Sequence, residues 1–405
     1  MAGAAAVVAA TSAAGAGCER HAREIRSEAA LKEAVRRMMP AVERATGLAF
    51  KRQPVVLRRT RAQVRDYVIH KFDDDLPPAE LAGAQAAYRL FGLIPDTLDL
   101  RRTMIDLLTE QVAGYFDPDS DALYLPTDID PGQARLVISH ELVHALQDQY
   151  LNLDSLVELK RQNDRRTAAQ AVLEGQATLA QILVLMPEQQ VESLPDFWRF
   201  RTVLGQQARQ MPEFANAPLW LRESLLFPYL GGAEFVRWFA RQYPGKQPYG
   251  ALMPVSTEQI LHPARYAAGD RPVPLAFAAP ADGAVRYEDG LGEFEIRLLL
   301  EQYLGGDSAV DTLAAGWNGD RYRVIATPEG GAALVWYTLW DDRATADRFS
   351  RALARAWARR RAGAPAGRRW EIARMAVENV AAVRLVDAPR RWAGWTRPPA
   401  IRIGR

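Results

Sequence analysis

Along the first 242 residues, apolar side chains recur every three or four positions, which is the spacing of an amphipathic helix. Pro and Gly residues interrupt this pattern and mark the predicted helix ends. The helices predicted in this part of the chain cover 24–44, 60–71, 78–91, 97–112, 131–150, 167–185, 194–211 and 218–242. A short strand is predicted at 54–57 and a hairpin at 112–125, where two apolar stretches flank a turn rich in Asp.

The pattern changes toward the C-terminus. An extended connection is predicted for the Pro- and Gly-rich residues 243–291, and an extended tail for 388–400. Between them, helices are predicted at 291–304, 308–315 and 344–361, and strands at 321–326, 332–340, 369–375 and 380–386. The last of these helices is strongly basic. Its apolar residues Phe349, Leu353 and Trp357 share one face, which we expect to pack on the strands.

A helical part followed by mixed helices and strands predicts an α+β fold. We expect a leader over residues 1–18, a mostly helical domain with a small sheet over 19–290, and a C-terminal α+β accessory domain over 291–405. The 405 residues have ordinary globular composition, about half apolar and a quarter charged.

Charge and cysteine content exclude several classes of function. The 51 basic and 49 acidic residues nearly balance, so we expect no nucleic-acid partner. Cys18 is the only cysteine, which excludes an internal disulfide and a metal site built from several thiolates. After the leader no stretch of about 18 consecutive apolar residues occurs, so no membrane-spanning segment is expected.

The leader itself contains mostly Ala and Gly and has no charged side chain before Cys18. It resembles the end of a bacterial lipoprotein signal, in which small residues precede a cysteine that is cleaved and lipidated. We therefore expect export to the periplasm, the cell envelope or the medium, with a lipid anchor at Cys18. A basic segment is missing, so an Ala/Gly leader with an incidental cysteine is the alternative.

The sequence His-Glu-Leu-Val-His at 140–144 lies within the predicted helix 131–150. His140 and His144 are one turn apart, so both imidazoles project from one face and can reach the same ion. Glu141 is placed to accept a proton from a water molecule that the ion polarises. The alternative is a helix whose two histidines satisfy local hydrogen bonds.

Zinc requires a third protein ligand and an open position for water. Gln147 and Tyr150 stand where a metzincin would have Gly and a third His, so that class is excluded. Glu174 is the best candidate, because a lone carboxylate among small and apolar residues costs several kcal/mol if it is buried unpaired. Asp154 and Glu158 are weaker candidates in polar surroundings. Pairing of Glu174 with an Arg is the alternative to a metal-binding role.

Gly175 follows this candidate ligand directly. Gly costs about 1 kcal/mol relative to Ala within a helix, so its presence needs a packing reason. We expect Gly175 to allow a close approach to the histidine helix.

These residues resemble the gluzincin group of zinc metallopeptidases, and more narrowly a bacterial branch whose members are often exported. The stretches that carry the resemblance, which extends over about 100–345, are 115–118, 140–149, 174–175, 255–263 and 316–321. The resemblance implies that 19–290 is a zincin-like domain with a bound Zn²⁺. It implies His140 and His144 as zinc ligands, Glu174 as the third ligand and Glu141 as the general base.

The same resemblance implies a sheet beside the catalytic helix, whose edge strand binds the substrate as an added strand. The hairpin at 112–125 is the candidate, and an ordinary structural hairpin is the alternative. A Tyr or His after the third ligand would stabilise the oxyanion. We favour His262 for this role, and Tyr229 and Tyr266 also fit by type and order.

The sequence therefore predicts a zinc metallopeptidase that hydrolyses peptide bonds in peptide or protein substrates. One alternative is a zincin-fold protein of the cell envelope that has no catalytic activity and acts in binding or assembly. Another is a metal-assisted hydrolase of non-peptide amides. Asp148, one turn after His144, either orients a metal ligand or is a solvated acid at the helix end.

Overall fold

The computed structural model of the chain describes residues 27–153, 159–199, 201, 210–278, 283–306, 308–328, 330–362 and 367–404. It shows an α+β protein, as predicted. The leader with Cys18 and the candidate residues Asp154 and Glu158 lie outside the described residues. Export and the lipid anchor therefore stay predictions.

The α-helices are α1 (Glu28–Thr46), α2 (Arg61–Asp75), α3 (Pro78–Phe91), α4 (Leu100–Gln111), α5 (Pro131–Asp148), α6 (Asn163–Leu185), α7 (Pro212–Asn216), α8 (Leu219–Gln242), α9 (Thr257–Leu261), α10 (Pro263–Ala267), α11 (Gly292–Leu304), α12 (Ser308–Ala314) and α13 (Arg343–Arg361). The strands are β1 (Val55–Arg59), β2 (Tyr115–Asp117), β3 (Ala122–Pro126), β4 (Leu275–Phe277), β5 (Val285–Asp289), β6 (Trp317–Ala326), β7 (Ala332–Trp340), β8 (Arg368–Val377), β9 (Val380–Pro389) and β10 (Ile401–Ile403).

The predicted extended connection at 243–291 is wrong, because it contains α9, α10, β4 and β5. The two helices are only five residues long, too short to show a helical period in the sequence. Local capping starts them: the Ser256 hydroxyl accepts the N–H of Gln259, and Pro263 occupies the first position of α10. The predicted helix at 194–211 is also wrong at its start, where 3₁₀ turns lie at Val191–Ser193 and Phe197–Arg199.

The three-stranded sheet lies beside the motif helix. Its order is β1-β3-β2, with β1 parallel and β2 antiparallel to β3. The predicted hairpin therefore forms, and its first strand lies at the edge of the sheet. Leu123 and Leu125 of β3 share a buried cluster with Val137 and Leu142 of α5, so this face of the sheet packs on the helix.

Helix α6 runs through the core, between α5 on one side and α8 on the other. Among the described residues it is the one helix long and apolar enough to cross a membrane, and 67% of its most apolar window is buried. A core helix of a water-soluble domain has the same composition when it is buried on most sides.

The backbones of helices α6 and α8 are in close contact at two glycines, Gly175 and Gly232. A Cβ atom on Gly175 would lie 2.1 Å from the carbonyl carbon of Gly232, and one on Gly232 would lie 1.9 Å from the carbonyl oxygen of Ala171. No side chain fits at either position without moving a backbone. Gly175 therefore serves a close approach to α8, and the prediction that it faces the histidine helix is wrong.

The C-terminal sheet has the order β5-β6-β7-β9-β8, with antiparallel pairing throughout. Phe349, Leu353 and Trp357 of α13 are fully buried beneath it, as their spacing predicts. Strand β5 joins this sheet from before residue 290, and α11 contacts both α8 and α13. The boundary between 19–290 and 291–405 stays a prediction.

Glu295 of α11 is buried where α3 and α8 meet this helix. Its Oε1 accepts hydrogen bonds from the Trp220 indole at 2.9 Å and from the Tyr88 hydroxyl at 3.4 Å. Burial raises the pKa of Glu295 from 4.5 to about 8; the Trp220 hydrogen bond opposes this shift, and the charges of Asp289 and Asp320 add to it. Between these pH values the folded protein holds a proton that the unfolded chain releases, so the free energy of unfolding falls as pH rises.

We predict that Glu295→Gln weakens this pH dependence, because an amide keeps the Trp220 hydrogen bond but does not ionise. The loss of unfolding free energy between about pH 5.5 and about pH 8.5 should shrink by on the order of 1–3 kcal/mol, as measured by urea denaturation. Glu188→Gln at the exposed surface is the control and should leave the dependence unchanged. An unchanged dependence in Glu295→Gln would show that this carboxyl is ionised in the folded protein.

Candidate metal centre

The motif residues lie on α5, whose start is defined by local chemistry. Asp130 Oδ1 accepts the N–H of Gly132 at 2.8 Å, and Pro131 occupies the first helical position. One face of the helix then points into the protein, and His140, Glu141 and His144 are all buried, at 2%, 0% and 6% exposure. The predicted helical placement of the motif is confirmed.

Glu174 of α6 lies directly opposite the two imidazoles. Its Oε2 is 3.2 Å from His140 Nε2 and 3.4 Å from His144 Nε2, and the two nitrogens are 3.2 Å apart. In a tetrahedral zinc site with bonds of about 2.05 Å, neighbouring ligand atoms are about 3.3 Å apart. The three atoms thus form one face of such a tetrahedron, and this group could hold a metal ion.

The electrostatics of the three side chains favour a cation. Burial by itself raises the pKa of Glu174, and the neighbouring imidazoles outweigh it and lower that pKa to about 2. Burial lowers the pKa of His144, and the Glu174 carboxylate outweighs it and raises that pKa to about 9. These shifts favour a positive charge beside Glu174, which either a proton or a metal ion can carry.

Glu141 has its two oxygens in different surroundings. Oε2 accepts the backbone N–H of Phe116 at 2.9 Å, which fixes the carboxylate against strand β2. Oε1 is buried, and it has no hydrogen-bond partner among the described residues. A buried, unpartnered carboxylate oxygen is costly, so the arrangement needs a ligand or a proton at Oε1. Burial raises the pKa of Glu141 to about 8, and the charge of His144 opposes this shift.

Strand β2 runs along this site. Phe116 lies opposite Leu123 of β3, but its backbone N–H donates to Glu141. This N–H therefore points away from β3. The outward N–H of this edge strand is therefore already used by Glu141, and Phe116 itself is fully buried. The predicted hairpin thus lies beside Glu141, and substrate binding at its edge stays a prediction.

Gln147, which was not predicted to orient a metal ligand, forms a hydrogen bond with His144. Gln147 Oε1 lies 2.8 Å from His144 Nδ1, and Gln147 is fully buried. Asp148, the residue considered for this role, instead forms an ion pair with Arg52 at 3.3 Å. The i+3 spacing from His144 was the available signal, because it places Gln147 on the same side of the helix.

The candidates for the oxyanion stabiliser lie in different places. His262 Nε2 pairs with the buried Glu293 at 2.8 Å, outside the group formed by the two motif histidines and Glu174. The Tyr266 hydroxyl donates to the Leu252 carbonyl at 2.7 Å. The Tyr229 ring, on α8, lies beside the imidazole of His140, with 6.1 Å between ring centroids.

Comparison with known proteins identifies a matching family model and a similar solved structure. A family model described as a domain of unknown function, DUF8575, matches residues 283–393, which include all five strands of the C-terminal sheet and helices α11, α12 and α13. No curated protein matches the chain. The crystal structure of a candidate hydrolase with a novel fold from Chloroflexus aurantiacus is similar at a TM-score of 0.39 and 17% identity, over 64% of this chain and 92% of that chain.

We predict that the purified protein binds about one divalent ion per chain and that Glu174→Ala loses most of it. Removing the carboxylate takes away one of three ligands and leaves two imidazoles that hold a metal weakly. Metal analysis after dialysis measures the occupancy, with Glu188→Ala as a surface control. Equal occupancy in Glu174→Ala and the wild type would exclude Glu174 as a ligand.

Proposed function

We propose that this protein is a zinc-dependent metallopeptidase that hydrolyses peptide bonds in peptide or protein substrates. One observation supports this above all: two imidazole nitrogens and a carboxylate oxygen form a buried triangle of 3.2–3.4 Å edges, with Glu141 next in the chain to His140. A structural metal site has no need of that additional acid, which favours catalysis over a purely structural role.

The donor set suits zinc. Two nitrogens and one oxygen match its preference for three protein ligands in catalytic sites, whereas calcium and magnesium favour six or more oxygen ligands. Held by His140, His144 and Glu174, zinc would supply Lewis acidity and lower the pKa of a bound water to about 7.

Glu141 would accept the proton of the attacking water at Oε1. Its other oxygen is held by the Phe116 N–H, so the carboxylate stays in position while Oε1 gains and loses the proton. The same atom would then deliver the proton to the leaving nitrogen. The Phe116 hydrogen bond also couples the base to strand β2, where an extended substrate would lie.

The oxyanion stabiliser in this proposal is Tyr229 in place of His262. Tyr229 is partly exposed and its ring lies beside the imidazole of His140. A phenol O–H is a suitable donor to the negative oxygen that develops during hydrolysis.

We predict that Glu141→Gln lowers kcat for casein or a peptide substrate by about 10²–10⁴-fold and retains the bound metal. The amide keeps a hydrogen-bond acceptor for Phe116 and removes the base. Peptide cleavage and metal content are measured on the same sample, with Glu188→Gln as the control. Wild-type protein that binds the metal but cleaves nothing in a broad peptide library would favour the binding-protein alternative.

We predict that Tyr229→Phe lowers kcat by about 10–10³-fold, with a smaller change in KM, because a donor to the transition state is lost. His262→Gln should leave kcat close to the wild-type value. Steady-state kinetics on folded samples of both variants makes the comparison. A large loss in His262→Gln together with full activity in Tyr229→Phe would assign the role to His262 instead.

A further inference from the structure

The hydrogen bond between His144 and Gln147 has a defined direction. Gln147 Nε2 lies 3.0 Å from the Leu173 carbonyl oxygen, which can only accept, so the amide nitrogen faces that carbonyl. Gln147 Oε1 must then face His144, and the hydrogen bond of 2.8 Å places the proton on His144 Nδ1. With Nδ1 protonated, Nε2 is the nitrogen of His144 left to bind a metal, and it faces His140 and Glu174.

Two further glutamines extend this arrangement. Gln147 Nε2 also donates to Gln176 Oε1 at 3.0 Å, and the Tyr249 hydroxyl donates to the same oxygen. Gln176 Nε2 donates to Gln247 Oε1 at 2.8 Å, and Gln247 Nε2 donates to the Thr46 carbonyl at 2.8 Å. We refer to Gln147, Gln176 and Gln247 as the amide chain.

Backbone carbonyls determine the direction of the whole amide chain. The carbonyl of Leu173 sets the orientation of Gln147, and that of Thr46 sets the orientation of Gln247. Gln176 lies between them, so reversing any one amide would place two acceptors or two donors against each other. Gln147 and Gln176 are buried at 0% and 5% exposure, where such a mismatch is costly.

We propose that Gln147, oriented by Gln176 and Gln247, is a positioning residue that holds His144 in the Nδ1-protonated tautomer needed to bind a metal through Nε2. This inference rests on the metal-binding part of the proposed function and not on peptidase activity. Its consequence is that α1, through the Thr46 carbonyl, contributes to the metal site although it supplies no ligand.

Metal affinity tests this directly, measured for zinc by competition with a chromophoric chelator on the full chain. Gln147→Leu should weaken zinc binding by about 10–100-fold, because His144 loses the acceptor that sets its tautomer. Gln147→Glu keeps an acceptor toward His144 and should bind zinc within a few-fold of the wild type. It should nevertheless lose stability, because its second oxygen faces the Leu173 carbonyl.

Gln181→Leu is the matched control. Gln181 is on the same helix as Gln176, is similarly buried, and donates from Nε2 to the Leu136 carbonyl at 2.8 Å. Its loss should lower the melting temperature and leave zinc affinity unchanged. In ¹⁵N-histidine spectra of the zinc-loaded wild type, the His144 Nδ1–H should be protected from exchange, and Gln147→Leu should abolish that protection.

If Gln147→Leu binds zinc as tightly as the wild type, the inference is overturned, and the proposed function is unaffected. Equal loss of affinity in Gln147→Leu and Gln181→Leu would also overturn it, because a general loss of stability would then account for both. A wild type that binds no zinc would overturn the metal centre itself. A wild type that binds zinc but cleaves no peptide would overturn only the peptidase assignment.

Discussion

A buried carboxylate placed between two imidazoles organises the centre of this protein. Glu174 lies on a core helix among small and apolar residues, and its partners are two imidazoles from the facing helix α5. Each imidazole nitrogen is about as far from the carboxylate as from the other nitrogen. A proton or a metal ion shared among these atoms offsets the cost of burying the carboxylate.

That convergence depends on close helix packing. Helix α6 lies against α8 where Gly175 meets Gly232, and the absence of both side chains lets the two backbones touch. The same contact brings Tyr229, less than one turn before Gly232, beside His140. The positions of the buried site residues thus depend on the close contact of the two helix backbones as much as on the polar side chains themselves.

The sequence predicted the parts of this site that are local. A four-residue spacing places two histidines on one helical face whatever surrounds them, and a strand-turn-strand pattern produced the hairpin. Prediction from the sequence failed for short helices and strands that depend on partners far away along the chain. Strand β4 forms because β10 pairs with it from more than 120 residues away along the chain, and α9 is too short for a period to show. Pro- and Gly-rich composition concealed both.

By itself, the sequence determined which residues could bind a metal, because spacing along a helix and the cost of burying a lone carboxylate act over a few residues. Tertiary structure decided which other residues hydrogen-bond to these candidate ligands and orient them. Gln147 orients His144 only because Leu173 and Gln176 of α6 face it, and His262 is committed to Glu293 because α9 and α11 pack together. Such choices depend on the packing of helices far apart in the chain, and no local pattern encodes that packing.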